Sequence, residues 1–124
     1  GTVDIFKDDP RVLVCSSFQH PFYPNRLHDL DRPNIVNTPL PGGTRGVQFR
    51  QRVEADWLKR LDAHAPQIVL VSAGFDAHAR DPLGGLELHE PVVLEHFERL
   101  LGNRFTWRSG APSIFRARWM DAMV

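Results

Sequence analysis

Apolar positions along this 124-residue chain fall into three readable patterns. Two are short, nearly continuous runs rich in β-branched residues, Arg11-Val12-Leu13-Val14-Cys15-Ser16 and Gln67-Ile68-Val69-Leu70-Val71-Ser72. Strands buried on both faces of a parallel sheet read this way, whereas half-exposed strands alternate. Both runs are therefore predicted as central strands. Between them Phe49, Val53, Trp57 and Leu61 recur every four residues, in a stretch bounded by Gly42-Gly43 before and Pro66 after. That spacing predicts an amphipathic helix with charges on its outer face. An extended piece, Asn34-Ile35-Val36-Asn37, precedes it, so strand, helix and strand follow in the order of a βαβ unit. Ser17 to Pro33, rich in Pro, Asn, Asp and His, reads as a long loop and so as a place for function.

Composition changes this picture mainly by exclusion. Hydrophobic residues at 42% and charged residues at 24% describe a folded globular chain. Fifteen Lys+Arg balance fifteen Asp+Glu, which removes the electrostatic footprint of a phosphate-gripping surface, so no nucleic-acid partner is expected. No run of eighteen apolar residues occurs and the start does not resemble a signal peptide, so no membrane partner is expected either. Cys15 is the single cysteine. It can form no internal disulfide and no Cys-based zinc site, it reads as a small buried hydrophobe with a disfavoured thiolate, and the cytoplasm is the expected compartment. Residues 1–100 carry 11 basic and 14 acidic side chains, whereas residues 101–124 carry 4 and 1. Gly1-Thr2-Val3-Asp4 reads like the middle of a loop without an initiator methionine, so a longer parent protein is expected.

In an open parallel sheet, ligands bind beyond the carboxyl ends of the strands. Two segments lie there. After the second run comes Ala73-Gly74-Phe75-Asp76-Ala77-His78-Ala79-Arg80-Asp81-Pro82-Leu83-Gly84-Gly85-Leu86, dense in carboxylate, imidazole and glycine. Asp76 and His78, two apart, could face one way and present the oxygen and imidazole that suit zinc. The plainer alternative is that Asp76 caps a turn and His78 is exposed. After the first run comes Ser16-Ser17-Phe18-Gln19-His20-Pro21-Phe22-Tyr23-Pro24, whose aromatics either wall a slot or pack the loop onto the sheet. His28, His64, His89 and His96 read as solvated surface residues. Gly42-Gly43-Thr44 lacks the lysine of a phosphate loop and reads as a turn into the helix, and the common nucleotide and hydrolase motifs are absent.

Taken together, these segments resemble the zinc-dependent histone deacetylase superfamily, nearest its class II and bacterial acetylpolyamine amidohydrolase-like members. The resemblance rests on Gly1-Thr2-Val3-Asp4-Ile5-Phe6-Lys7-Asp8-Asp9-Pro10-Arg11-Val12, Ser-Ser-x-Gln with Tyr23-Pro24, Asn34-Ile35-Val36-Asn37 with Pro39-Leu40, Val71-Ser72-Ala73-Gly74-Phe75-Asp76-Ala77-His78 and Asp81-Pro82-Leu83-Gly84-Gly85. It implies a three-layer α/β fold with a mostly parallel sheet, incomplete here, and hydrolysis of an N-acetyl amide on a lysine side chain or a polyamine. By the same resemblance Asp76 is a zinc ligand and His78 only a neighbour of the site. Tyr23 lines the tunnel for the acetylated chain and Leu83 the opposite rim. Groups matching Phe6, Asp9 and Val12 hold one monovalent cation, K+, and those matching Ser16 and Ser17 a second. Phe18 stands where related enzymes often have histidine.

The chemistry this implies needs a divalent metal, a histidine pair as base and acid, and a tyrosine donating to the oxyanion. In the family two further zinc ligands belong to an Asp-x-His-His-Gly-Asn segment before the Gly-Thr, the histidine pair lies earlier, and the tyrosine sits in a later Glu-Gly-Gly-Tyr motif. None of these occurs in the sequence, so no catalytic residue is assigned and the isolated chain is expected to be inactive. Residues 1–88 are read as a partial deacetylase-like domain and 89–124 as a divergent tail with an altered or frameshifted end. A non-catalytic product that keeps only a βαβ binding core is the competing reading, and an arginase-like hydrolase is disfavoured for want of paired Asp-x-His and Asp-x-Asp ligands. Sheet edges left uncovered make homo-oligomerisation an expectation.

Overall fold

The turn around Pro10 delays the first strand. Asp9 accepts the Arg11 backbone N–H at 3.0 Å and takes the Arg11 guanidinium on both oxygens, at 3.0 and 2.8 Å. In the computed structural model, which describes residues 1–72 and 76–89, four elements therefore follow in the order α1 (Thr2–Phe6), β1 (Val14–Gln19), β2 (Ile35–Leu40) and α2 (Gly46–His64). β1 and β2 pair in parallel, with Val14 opposite Ile35 and Gln19 opposite Leu40.

The helix predicted from the four-residue repeat is α2. Phe49, Val53 and Trp57 are buried along one stripe and Leu61 packs beside them. The Gln48 side chain accepts the Arg45 N–H at 3.0 Å to close its first turn. At the far end Ala65 takes a left-handed conformation, φ 47°, returns its N–H to the Leu61 carbonyl, and Pro66 prevents continuation. The buried stripe meets Val36 and Leu40 from β2 and Leu86 and Leu88 from the following loop. Removing a side chain of this size from water contributes roughly 1.5–3 kcal/mol. Thr38 is the polar member of this core: it donates to Asp56 Oδ2 at 2.8 Å and accepts from Trp57 Nε1 at 3.0 Å, so the strand and helix are joined through a satisfied buried hydroxyl.

Three expectations need correction. The run at 67–72 is not a strand, and Ile68 and Leu70 are 77% and 92% exposed. An apolar run signals a tendency to be buried, but a strand also needs a neighbour's backbone to bond, and none of the described strands lies against it. The βαβ unit is accordingly β2 followed by α2 alone. β1, expected to be covered on both faces, has only Val14 buried and its other five residues half-buried, because β2 is its one partner among the described residues. His28 is not a solvated surface residue: its ring stacks on His20, centroids 4.2 Å apart, and its Nδ1 is shielded without a hydrogen-bond partner. Residues 73–75, His96 and nearly all of the tail lie outside the described residues.

Candidate metal and acyl-binding site

The carboxyl end of β1 and the segment around Asp76 are brought together by one side chain. Gln19 is the last residue of β1, and its Oε1 accepts the Gly85 N–H at 2.7 Å. The Gly85 carbonyl in turn accepts the Gly43 N–H at 2.6 Å, and Glu87 N–H donates to the Thr44 carbonyl at 2.9 Å. Segment 85–88 thus runs along the turn that opens α2 and drops Leu86 and Leu88 into the core. Gly84 is required by space, since a Cβ there would collide with the Asp76 carbonyl oxygen, whereas a Cβ at Gly85 would meet only the far end of the Gln19 side chain, Nε2 at 2.8 Å.

Asp81 shapes the next turn. Its Oδ1 accepts the Gly84 N–H at 2.7 Å and the Leu83 N–H at 2.9 Å, an Asx-type turn that holds Leu83 outward, 82% exposed. Those two N–H donors, Gly84 first, hold the Asp81 carboxyl below the usual carboxylate range. Asp76 is exposed in the preceding turn, and Ala77 and Ala79 bond to the backbone of Leu88 behind it. His78 Nδ1 accepts the Arg80 N–H at 3.1 Å and its ring meets His89 edge-on at 5.9 Å, so the imidazole takes part in turn structure.

The aromatic loop is fixed by its flanks. His20 N–H donates to the Leu40 carbonyl at 2.8 Å, and Asn37 Nδ2 donates to the Leu27 carbonyl at 2.7 Å. Between these anchors Tyr23 stands 88% exposed and Phe22 43% exposed, so the aromatics do not pack down onto the sheet. Tyr23, Ser16, Ser17 and Asp76 line one open cavity of about 1390 Å³ between β1 and the stretch 66–72, while Leu83 is not among its lining residues. Ligand pockets are commonly about 300–1,000 Å³, so the described residues enclose a broad trough and not a narrow slot. Cys15 lies on the same strand, and burial pushes its thiol up to about 11, which agrees with an inert role.

An exposed carboxylate is a fitting oxygen donor for a divalent metal, yet among the described residues no group of three or more His, Cys, Asp or Glu could hold one. Asp76 alone therefore does not complete a zinc site. The cradle assigned to a monovalent cation, Phe6, Asp9 and Val12, fits still less well: a side-chain amide from Asn34 already lies among its three carbonyls. Gln19 and Asn34 are the residues that sequence reasoning passed over. Each stood inside a quoted motif, and a polar amide at a strand end was the only signal available.

The Histone deacetylase domain model matches residues 1–109. The chain belongs to the histone deacetylase family. The match continues past residue 88, where sequence reading placed a boundary. Histone deacetylase 10, chloroplastic, from rice is 38% identical over 93 residues, which are 70% of this chain and 21% of the relative. The histone deacetylase-like amidohydrolase of Pseudomonas aeruginosa is 40% identical over 119 residues, 84% of this chain and 31% of the relative. Among solved structures, the HDA15 HD domain superposes with a TM-score of 0.73 at 30% identity, covering 83% of this chain and 32% of that one. The described parallel sheet and helix are thus part of the α/β deacetylase fold, and the chain spans between a fifth and a third of the length of these family members.

Proposed function

We propose that this chain is the part of a zinc-dependent N-acetyl amide hydrolase that carries one metal carboxylate, one wall of the acyl channel and its rim. Asp76 contributes the carboxylate, Tyr23 a wall of the channel and Leu83 its rim; Ser16 and Ser17 bracket a monovalent cation beside the metal. The substrate is the acetylated amine of a lysine side chain or a polyamine, and the setting is the reducing cytoplasm. The single observation that carries this reading is the packing of Gly84 against the Asp76 carbonyl, with Gln19 holding Gly85. It ties the exposed carboxylate and the exposed rim leucine to the end of β1, where a sheet of this class presents its ligand. The remaining zinc ligands, the base and the oxyanion donor come from outside the described residues, and the 124-residue chain alone turns over no acetyl amide.

A chimera tests this. Residues 1–109 would replace the matching segment of the Pseudomonas aeruginosa amidohydrolase, and turnover of acetyl-lysine peptides and acetylpolyamines would be followed. Turnover that falls at least ~100-fold with Asp76→Ala is the expected result, since loss of one ligand removes the metal's contribution to the transition state. A folded, zinc-loaded chimera with no turnover on either substrate class would contradict the proposal.

A further inference from the structure

We propose that the side-chain amide of Asn34 takes the place of a monovalent cation in the loop that precedes β1, so that this chain closes that loop without potassium. Asn34 is buried, 7% exposed, immediately before β2. Its Nδ2 donates to the carbonyls of Phe6 at 2.8 Å, Asp9 at 2.9 Å and Val12 at 3.2 Å. All three partners can only accept, which fixes nitrogen and not oxygen in this position. Three acceptors converge on a group with two hydrogens, an arrangement of oxygens around a point that ordinarily suits a hard cation.

Two of the three carbonyls are already saturated. The Phe6 carbonyl also accepts the Asp9 N–H at 3.0 Å, and the Asp9 carbonyl the Val12 N–H at 3.2 Å, so each spends both lone pairs. An ion could enter only by displacing Nδ2. The partial positive charge of the amide hydrogens offsets the mutual repulsion of the three carbonyl dipoles, which is the electrostatic service an ion would supply. Asn34 is held at its other end as well, because its own carbonyl accepts the Val14 N–H at 2.9 Å where β1 begins. The side chain therefore clamps residues 6–12 to the start of the sheet. This inference stands independently of the catalytic reading above.

The test compares thermal midpoints of the 124-residue chain in potassium and in choline at equal ionic strength, for the natural sequence and for Asn34→Ala. The natural chain should gain no stability from potassium at this cradle. Asn34→Ala should melt about 5–10 °C lower in choline, and potassium should restore part of that loss by filling the emptied cradle. The decisive quantity is the potassium shift of the variant minus that of the natural chain, which cancels any ion bound elsewhere, at Ser16 and Ser17 for instance. A positive difference supports the proposal; zero or a negative one overturns it. Should Asn34→Ala fold in neither medium, Asn34→Ser carries the same comparison, and folding in potassium alone counts as support.

Discussion

At the scale of single residues, the chain positions its chemistry with side chains that bond backbone. Asp81 illustrates this: one carboxylate oxygen fixes the N–H groups of Leu83 and Gly84, and with them the rim. Asp81→Ala should lower stability measurably in chemical denaturation, since two charge-assisted bonds in an exposed turn are replaced by bonds to water. Asp81→Asn, which keeps an acceptor oxygen, should recover part of it. Gly84→Ala should destabilise by more than Gly85→Ala, because the added Cβ collides with the Asp76 backbone carbonyl at the first and meets only the movable end of Gln19 at the second; combining Gly85→Ala with Gln19→Ala should show the coupling between those two positions in a double-mutant cycle. Cys15 gives a pH prediction. Its folded value of about 11 lies above the ordinary 9.0, so as pH rises the unfolded chain releases this proton first. The contribution of the thiol to stability is complete below pH 9 and declines between 9 and 11. Alkylation of the folded chain should stay slow until pH approaches 11, and rapid reaction at pH 8 would contradict burial. Asp9 runs the other way. The hydrogen bond from Arg11 holds it at about 2 against 3.8, so its small, solvent-screened contribution is present above pH 3.8 and fades as pH falls towards 2.

At the scale of elements, what could be read from the sequence depended on whether an element carries its own pattern. α2 does: the repeat of Phe49, Val53, Trp57 and Leu61 and the flanking Gly42-Gly43 and Pro66 located it, because a helix satisfies its backbone internally. Strands do not. The two apolar runs look alike, yet 11–16 contributes to a paired strand and 67–72 does not, because pairing depends on a neighbour that no local signal reveals. α1 escaped notice for a related reason, being five residues long with no buried residue to set a period. The site was legible unevenly. Spacing favoured Asp76 and His78 as a pair, and only the family motif separated them; the structure then shows His78 engaged with Arg80 and His89. Gln19 and Asn34 could not be read at all, since their partners lie 66 and 22–28 residues away. Two substitutions test the element account. Thr38→Val should cost about 1–3 kcal/mol, because it removes the buried hydroxyl that accepts from Trp57 Nε1 and donates to Asp56 Oδ2. Leu70→Ser, at a position 92% exposed, should fall within about 0.5 kcal/mol of the natural chain, and a loss above about 2 kcal/mol would show that 67–72 is packed.

At the scale of the whole molecule, the described residues form one part of the deacetylase fold. β1, the aromatic loop, the stretch 66–72 and Asp76 surround a trough wider than an ordinary ligand pocket. The family members share this part of the fold over a fifth to a third of their own length. The close approach of Gly84 to the Asp76 carbonyl and of Gly85 to Gln19 keeps segment 76–85 near the end of β1. The partial span also sets the expected behaviour towards zinc. One carboxylate cannot hold the ion tightly, so the 124-residue chain by itself should bind zinc more weakly than micromolar in competition with a chromogenic chelator.

The most direct test of the central claim is the zinc content of the chimera with and without Asp76. Natural Asp76 should give one tightly held zinc per chain, and Asp76→Ala should lose it while the thermal midpoint of the metal-free protein is unchanged. Retention of zinc at unaltered affinity in Asp76→Ala would show that this carboxylate is not a metal ligand, and that the segment it stands on serves the fold alone.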